Sequence, residues 1–100
     1  MLQDIFLYQH QTYYRFGSLL KALREQAGLS QQALAKQVNY CPSYICRLER
    51  GDRLPNIAII RRLFVSQLGL AKQPEIAAHL VALAARELGR AHVELFTLDL

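Results

Sequence analysis

The sequence predicts an all-α fold, with one domain of five helices and a short extension at each end. Apolar residues recur at the helical period along most of residues 16–89. Each periodic segment is followed by a residue that readily takes the left-handed conformation ending a helix, namely Gly28, Asn39, Gly51, Gly69 or Gly89. Since 52% of the residues are apolar, the chain can build a core without metal or disulfides. We therefore expect an N-terminal extension (1–15), a domain (16–89) and a C-terminal extension (90–100).

The first helix is predicted over residues 16–27 by one apolar stripe. Its members follow the spacing i, i+3, i+4, i+7 and i+11, and they are Phe16, Leu19, Leu20, Leu23 and Ala27. Gly28 ends this helix.

The second and third helices are short and follow each other closely. Ser30 is a good N-cap, because its hydroxyl can accept a free backbone N–H of the helix 31–38. Asn39 begins a tight turn, and Pro42 is suited to the first position of a third helix that ends before Gly51. Two short helices joined by such a turn form the helix-turn-helix pattern.

Two further helices complete the predicted domain. Asn56 caps a fourth helix that ends near Leu68, and Pro74 opens a fifth helix that ends at Gly89. The two extensions are apolar. The spacing of their apolar residues does not decide whether each one is a short strand or an irregular segment. We expect them to fold back on the domain or to pack against a second copy.

The positive charge is concentrated in the middle of the chain. Nine of the twelve basic residues, but only three of the eight acidic ones, lie between Arg15 and Arg62. A basic, compact domain attracts polyanions such as nucleic acids, because binding releases counterions from the phosphates. A solvated basic surface without a partner is the alternative interpretation.

Several other classes of protein are disfavoured. No apolar run reaches the ~18 residues of a membrane span, and residues 1–8 lack the features of a secretory signal, so we expect a cytoplasmic protein. Cys41 and Cys46 match no zinc or redox spacing. The sequence contains no nucleophile–base set, paired carboxylates or glycine-rich phosphate loop. We therefore expect a protein that is not an enzyme and that has no metal, cofactor or small-molecule ligand.

The stretch from Leu20 to Pro55, LKALREQAGLSQQALAKQVNYCPSYICRLERGDRLP, resembles the Cro/repressor-type helix-turn-helix family, also called the xenobiotic-response-element family. The matching residues are Arg24, Gly28, Leu29, Ser30, Gln31, Leu34, Ala35, Ser43, Ile45, Arg47, Leu48, Glu49, Arg50, Gly51, Arg53 and Pro55. With the fourth and fifth helices, the resemblance covers residues 16–88. It implies a lambda-repressor-like bundle of five helices, in which the third helix, 42–50, enters the major groove of DNA.

The resemblance implies two groups of DNA-binding residues. Pro42, Ser43 and Arg47 stand at positions that usually read bases, and the Arg47 guanidinium can bind guanine through two hydrogen bonds. Contacts to the phosphate backbone are implied for Gln31, Tyr44, Arg50 and Arg53. For Tyr44, a packing role is an equal alternative.

Two further matching residues are expected to stabilise the fold instead of contacting DNA. In the family, the counterparts of Arg24 and Glu49 form an ion pair between the first helix and the end of the third. We therefore exclude this pair from the site.

Some positions depart from the family pattern. Cys41 stands where a capping serine or threonine is usual, and Pro42 replaces a side chain that often reads a base. Proline offers only apolar contact, for example with a thymine methyl group. These departures reduce the expected base recognition at the start of the third helix.

Together these observations predict a sequence-specific transcriptional regulator that binds double-stranded DNA as a homodimer. A single recognition helix spans few base pairs, and paired half-sites therefore favour a dimer. The alternative is a protein-interaction module, antitoxin-like or an adaptor, that uses the helix-turn-helix as a scaffold. Steep salt dependence of binding distinguishes phosphate contact from that alternative.

Overall fold

The computed structural model describes the backbone of residues 6–8 and 11–98 and the side chains of residues 13–90. This part of the chain contains five helices and a two-stranded hairpin. The elements are β1 (Phe6–Tyr8), β2 (Gln11–Tyr13), α1 (Phe16–Gln26), α2 (Gln31–Val38), α3 (Pro42–Arg50), α4 (Ile57–Ile59, Ile60–Phe64 and Val65–Gln67) and α5 (Pro74–Leu98). The predicted five-helix, all-α architecture is confirmed, and the hairpin is a small addition to it.

The N-terminal extension contains a hairpin, so of the two alternatives, strand or irregular segment, the strand is the one that forms at residues 6–8 and 11–13. Its two strands are antiparallel, and Phe6 pairs with Tyr13, Leu7 with Thr12, and Tyr8 with Gln11. Tyr13 is partly buried against the helical core, and β2 contacts α1. The strands therefore lead directly into the first helix.

All five helices contribute to one apolar core. Its fully buried side chains each stabilise the fold by roughly 1.5–3 kcal/mol relative to exposure. The largest are Phe16, Phe64, Leu19, Leu20, Leu23, Leu34, Ile45, Leu48, Ile60, Leu80 and Val38. The first helix buries the stripe that its period predicted, except Ala27, which caps the helix and is exposed.

The turn between α2 and α3 forms as the sequence predicts. Ser30 Oγ accepts a hydrogen bond of 3.0 Å from the backbone N–H of Ala33 at the start of α2. Asn39 then takes a left-handed conformation with φ of 65°, which reverses the chain before Pro42 begins α3. Gly51 ends α3 with φ of 82°. Both ends of α3 are thus set by local sequence.

The fourth helix contains a π-helical turn, Ile60–Phe64, between two short α-helical pieces. Asn56 Oδ1 caps its start by accepting a 3.1 Å hydrogen bond from the N–H of Ile59. The wider π turn keeps both of its end residues, Ile60 and Phe64, fully buried.

The prediction that the fifth helix ends at Gly89 was wrong, because α5 continues to Leu98. The expected strand or irregular segment after Gly89 is therefore helical as far as Leu98. An interior glycine disfavours a helix by only about 1 kcal/mol relative to alanine, and the flanking alanine, arginine, leucine and glutamate residues favour it. Neither α5 nor any other helix in the described ranges combines the length and apolarity needed to cross a membrane.

The helices α1 and α3 approach each other closely at Gly17. This residue is buried, and a Cβ atom placed on it would lie 2.6 Å from the carbonyl oxygen of Leu48 and still closer to that of Glu49. Real Cβ contacts are essentially never this short. Only glycine at this position lets α1 pack directly on the carboxyl end of α3.

Gly17→Ala should destabilise the protein by about 1–3 kcal/mol, because the added methyl group would push α1 away from α3. Gly89→Ala is the matched control, since Gly89 is also helical but, beyond its chain neighbours and its own helix backbone, no described atom lies within 4 Å of its Cβ position. That change should stabilise the protein by about 0.5–1 kcal/mol. Urea unfolding of both variants measures the two effects, and a stabilised Gly17→Ala protein would contradict the close approach.

Candidate nucleic-acid interface

The third helix has one buried face and one exposed face. Ile45 and Leu48 are 0% and 1% exposed and hold α3 against the core. Pro42, Ser43 and Arg47 lie on the opposite, exposed side, as the helical period predicts. The core therefore holds α3 by its inner face, and the side chains of its outer face are not part of the core.

Two arginines on this outer face differ in their electrostatic environment. Arg50 Nη2 lies 3.1 Å from Asp52 Oδ2, and both side chains are exposed. Arg47 is also exposed but makes no hydrogen bond or ion pair with any described residue. The N–H donors of its guanidinium are therefore available to a partner, in a planar arrangement that suits two-point binding.

An aromatic stack lies at the flank of α3. The rings of Tyr40 and Tyr44 stack with centroids 4.4 Å apart and an interplanar angle of 20°. The guanidinium carbon of Arg53 lies 5.4 Å from the centroid of the Tyr44 ring. Burial raises the pKa of the half-buried Tyr44 hydroxyl, so this group stays protonated and neutral at physiological pH. The sequence predicted the turn that begins at Asn39 but not this stack.

The start of α3 carries a cysteine instead of a strong cap. Cys41 occupies the N-cap position without a capping hydrogen bond from its side chain, and Pro42 is the first residue of the helix. The Cys41 thiol is exposed, and its Sγ lies 3.1 Å from Ser43 Oγ. This contact with the Ser43 hydroxyl lowers the pKa of the thiol. The Ser43 hydroxyl thus has a weak intramolecular partner in the free protein.

A buried ion pair anchors the other end of α3. Arg24 Nε and Nη2 donate hydrogen bonds of 2.6 and 3.1 Å to the two carboxylate oxygens of Glu49, and the side chains are 8% and 4% exposed. Arg24 Nη1 also donates to the carbonyl oxygen of Leu29 at 2.8 Å. The pair that the family resemblance implied is therefore present, and it ties α1 to α3.

A family model described as a helix-turn-helix domain matches residues 15–92, most of the chain. The chain belongs to this helix-turn-helix family. The match confirms the resemblance to the Cro/repressor type, and such domains are typical of DNA-binding regulators. Comparison with curated proteins and with solved structures found no match.

Within the helix-turn-helix, Gln31 is engaged by the protein itself. Its Nε2 donates a 2.9 Å hydrogen bond to Glu49 Oε1, which adds a third donor to the buried carboxylate. The sequence predicted a phosphate contact for this side chain. One of its two amide hydrogens is occupied, so a contact with phosphate depends on the second one and on the free backbone N–H groups at the start of α2.

The exposed charge of the helix-turn-helix is positive. Between residues 30 and 55, the exposed charged side chains are those of Lys36, Arg47, Arg50, Arg53 and Asp52. The remaining charged residue of this segment, Glu49, is neutralised by Arg24 in the interior. The described part of the chain has no group of three histidine, cysteine, aspartate or glutamate side chains that could hold a metal ion.

Glu49→Gln should cost about 3–5 kcal/mol of unfolding free energy, because it leaves the buried Arg24 guanidinium without a counter-charge. Asp52→Asn is the control, since it breaks an exposed pair and should cost no more than about 1 kcal/mol. Chemical denaturation of both variants gives the comparison. Similar losses of unfolding free energy for the two variants would show that burial of the Arg24–Glu49 pair does not determine how much the pair contributes to stability.

Proposed function

We propose that this protein is a sequence-specific DNA-binding transcriptional regulator in which α3 lies in the major groove. The observation that carries the proposal is the exposed guanidinium of Arg47, which has no hydrogen-bond or ion-pair partner among residues 13–90 and lies on a helix whose other face is buried. A recognition helix needs this combination of a fixed inner face and available outer donors.

Base recognition is proposed for three exposed residues of α3. Arg47 can donate two hydrogen bonds to O6 and N7 of guanine, which discriminates against other bases by roughly 1–3 kcal/mol. Ser43 can donate or accept a hydrogen bond, and Pro42 can contact a thymine methyl group. Arg47 is therefore the main reader, and the start of the helix adds weaker contacts.

Backbone contacts are proposed for residues around these readers. Arg50 and Arg53 supply positive charge, and Gln31 lies at the start of α2 near its free N–H groups. Tyr44 is half-buried between Tyr40 and Arg53, which favours a packing role for its ring over a direct phosphate contact. These contacts set the position of α3 on the duplex without reading sequence.

A homodimer is proposed because one recognition helix spans only a few base pairs. The described part of α5 supports a role for its second half in the dimer contact. Among the residues of α5 up to Arg90, Ala84 is the last that is fully buried, and the backbone continues as helix to Leu98. The sequence after Arg90 is mainly apolar, which suits contact with a second copy.

Selection of random duplexes by the wild-type protein and by Arg47→Ala, at two salt concentrations, tests base reading. The wild-type protein should enrich a paired motif, and Arg47→Ala should lose the preference at one position of each half-site. Affinity should fall steeply with salt, since phosphate contacts release counterions.

Arg61→Ala provides a control with the same loss of charge. Arg61 is exposed and lies beside a groove between α4 and α5 that includes Val65 and Pro74 and no residue of α3. This variant should select the wild-type motif. Unselective binding by the wild-type protein would contradict sequence reading, and no binding at low salt would favour the protein-interaction alternative.

Deletion of residues 91–100 should convert the dimer into a monomer, because it removes the proposed contact between copies. Light scattering coupled to size exclusion measures the mass of both forms. The half-sites selected by the full chain should lie about one helical turn apart, roughly 10–10.5 base pairs between centres. A full chain that is monomeric on and off DNA would contradict the dimer.

A further inference from the structure

We propose that Tyr40 is a positioning residue for DNA binding, which stacks on Tyr44 and thereby holds the Arg53 guanidinium in place as a preformed phosphate contact beside α3. The inference rests on the proposed function and deepens it. It assigns a role to Tyr40, which lies outside the recognition helix, and it names the phosphate backbone of DNA as the group that the positioned Arg53 contacts.

The backbone of Tyr40 is fixed by the turn. It follows Asn39 in its left-handed conformation, and its N–H donates a 2.9 Å hydrogen bond to the carbonyl oxygen of Ala35. The ring then stacks on Tyr44 at 4.4 Å, although Tyr40 is 38% exposed. Tyr44 is partly buried against the core, whereas Tyr40 is exposed, so the stack connects the core with groups at the protein surface.

The Arg53 guanidinium lies beside this pair, 5.4 Å from the Tyr44 centroid. An arginine over an aromatic face is attracted by the ring quadrupole and loses mobility, while the N–H groups at its edge remain free. Arg53 has no acidic partner among the described residues, whereas Arg50 is paired with Asp52. Of these two arginines, Arg53 is therefore both held in place and unneutralised.

The position of the stack suits a phosphate. On a helical wheel Tyr44 lies at the flank of α3, next to Arg47 and between the buried and exposed faces. When a helix lies in the major groove, the phosphate backbones border its flanks. A guanidinium already fixed there loses less conformational freedom on binding than a mobile one, so affinity rises without a new contact.

A double-mutant cycle measures this coupling with a fluorescein-labelled duplex of mixed sequence, because phosphate contact does not depend on sequence. In Arg53→Gln, log affinity should fall less steeply with log salt, by about 0.9 for each bound protomer, the value for one phosphate contact. Tyr40→Leu should weaken binding by about twofold to tenfold, the equivalent of ordering one mobile side chain. In the Arg53→Gln protein, Tyr40→Leu should cause no further loss.

Tyr40→Phe is the conservative control, since it keeps the stacked ring, and it should bind as the wild-type protein does. Thermal melting checks that each variant folds. NMR relaxation of the Arg53 Nε–H group, without DNA, should show increased mobility in Tyr40→Leu and not in Tyr40→Phe. This measurement separates positioning from a purely structural role.

Three outcomes would overturn the inference. Equal losses from Tyr40→Leu with and without Arg53, or a loss from Tyr40→Phe as large as from Tyr40→Leu, would exclude positioning while leaving the proposed function intact. If the wild-type protein binds no duplex even at low salt, both the inference and the proposed function fail.

Discussion

Arg24 and Glu49 are charged side chains in the interior, and removing them from water is unfavourable unless good geometry and further hydrogen bonds compensate. Here the carboxylate receives two hydrogen bonds from Arg24 and one from Gln31, while Arg24 also donates to the carbonyl oxygen of Leu29. This network joins the end of α1, the start of α2 and the end of α3. The orientation of the outer face of α3, and hence of Arg47, depends on it.

A second constraint acts on the same end of α3. Gly17 allows the backbone of α1 to pack on the last carbonyl groups of α3, and Arg15 bonds Glu87 at 2.6 Å, which links the start of α1 to α5. The ion pair with Glu87 also raises the pKa of Arg15 further above its ordinary value. Apart from Gln31, the residues proposed to contact DNA take no part in these stabilising contacts.

The sequence was a good guide where structure is local and a poor one elsewhere. Helix starts at Ser30 and Asn56 followed from hydroxyl and amide caps, whose hydrogen bonds reach only three residues along the chain. Gly89 was misread as a helix end because a glycine signals an end only when its neighbours do not favour the helix strongly. The sequence did not decide whether residues 1–15 contain strands, because a strand needs a partner strand, which the spacing of apolar residues alone does not identify.

By itself, the sequence determined the helices α1 to α4, the inward face of α3 and the family of the whole chain. The apolar period, the helix caps and the motif spacing that indicate them are properties of residues close together in the sequence. Only the tertiary structure decided which side chains of the site are available. It occupied Gln31 with Glu49, held Arg53 over Tyr44 and left Arg47 without a hydrogen-bond or ion-pair partner among the described residues. Such contacts depend on distances of a few ångströms between atoms, and those distances are set only when separate helices and turns pack together.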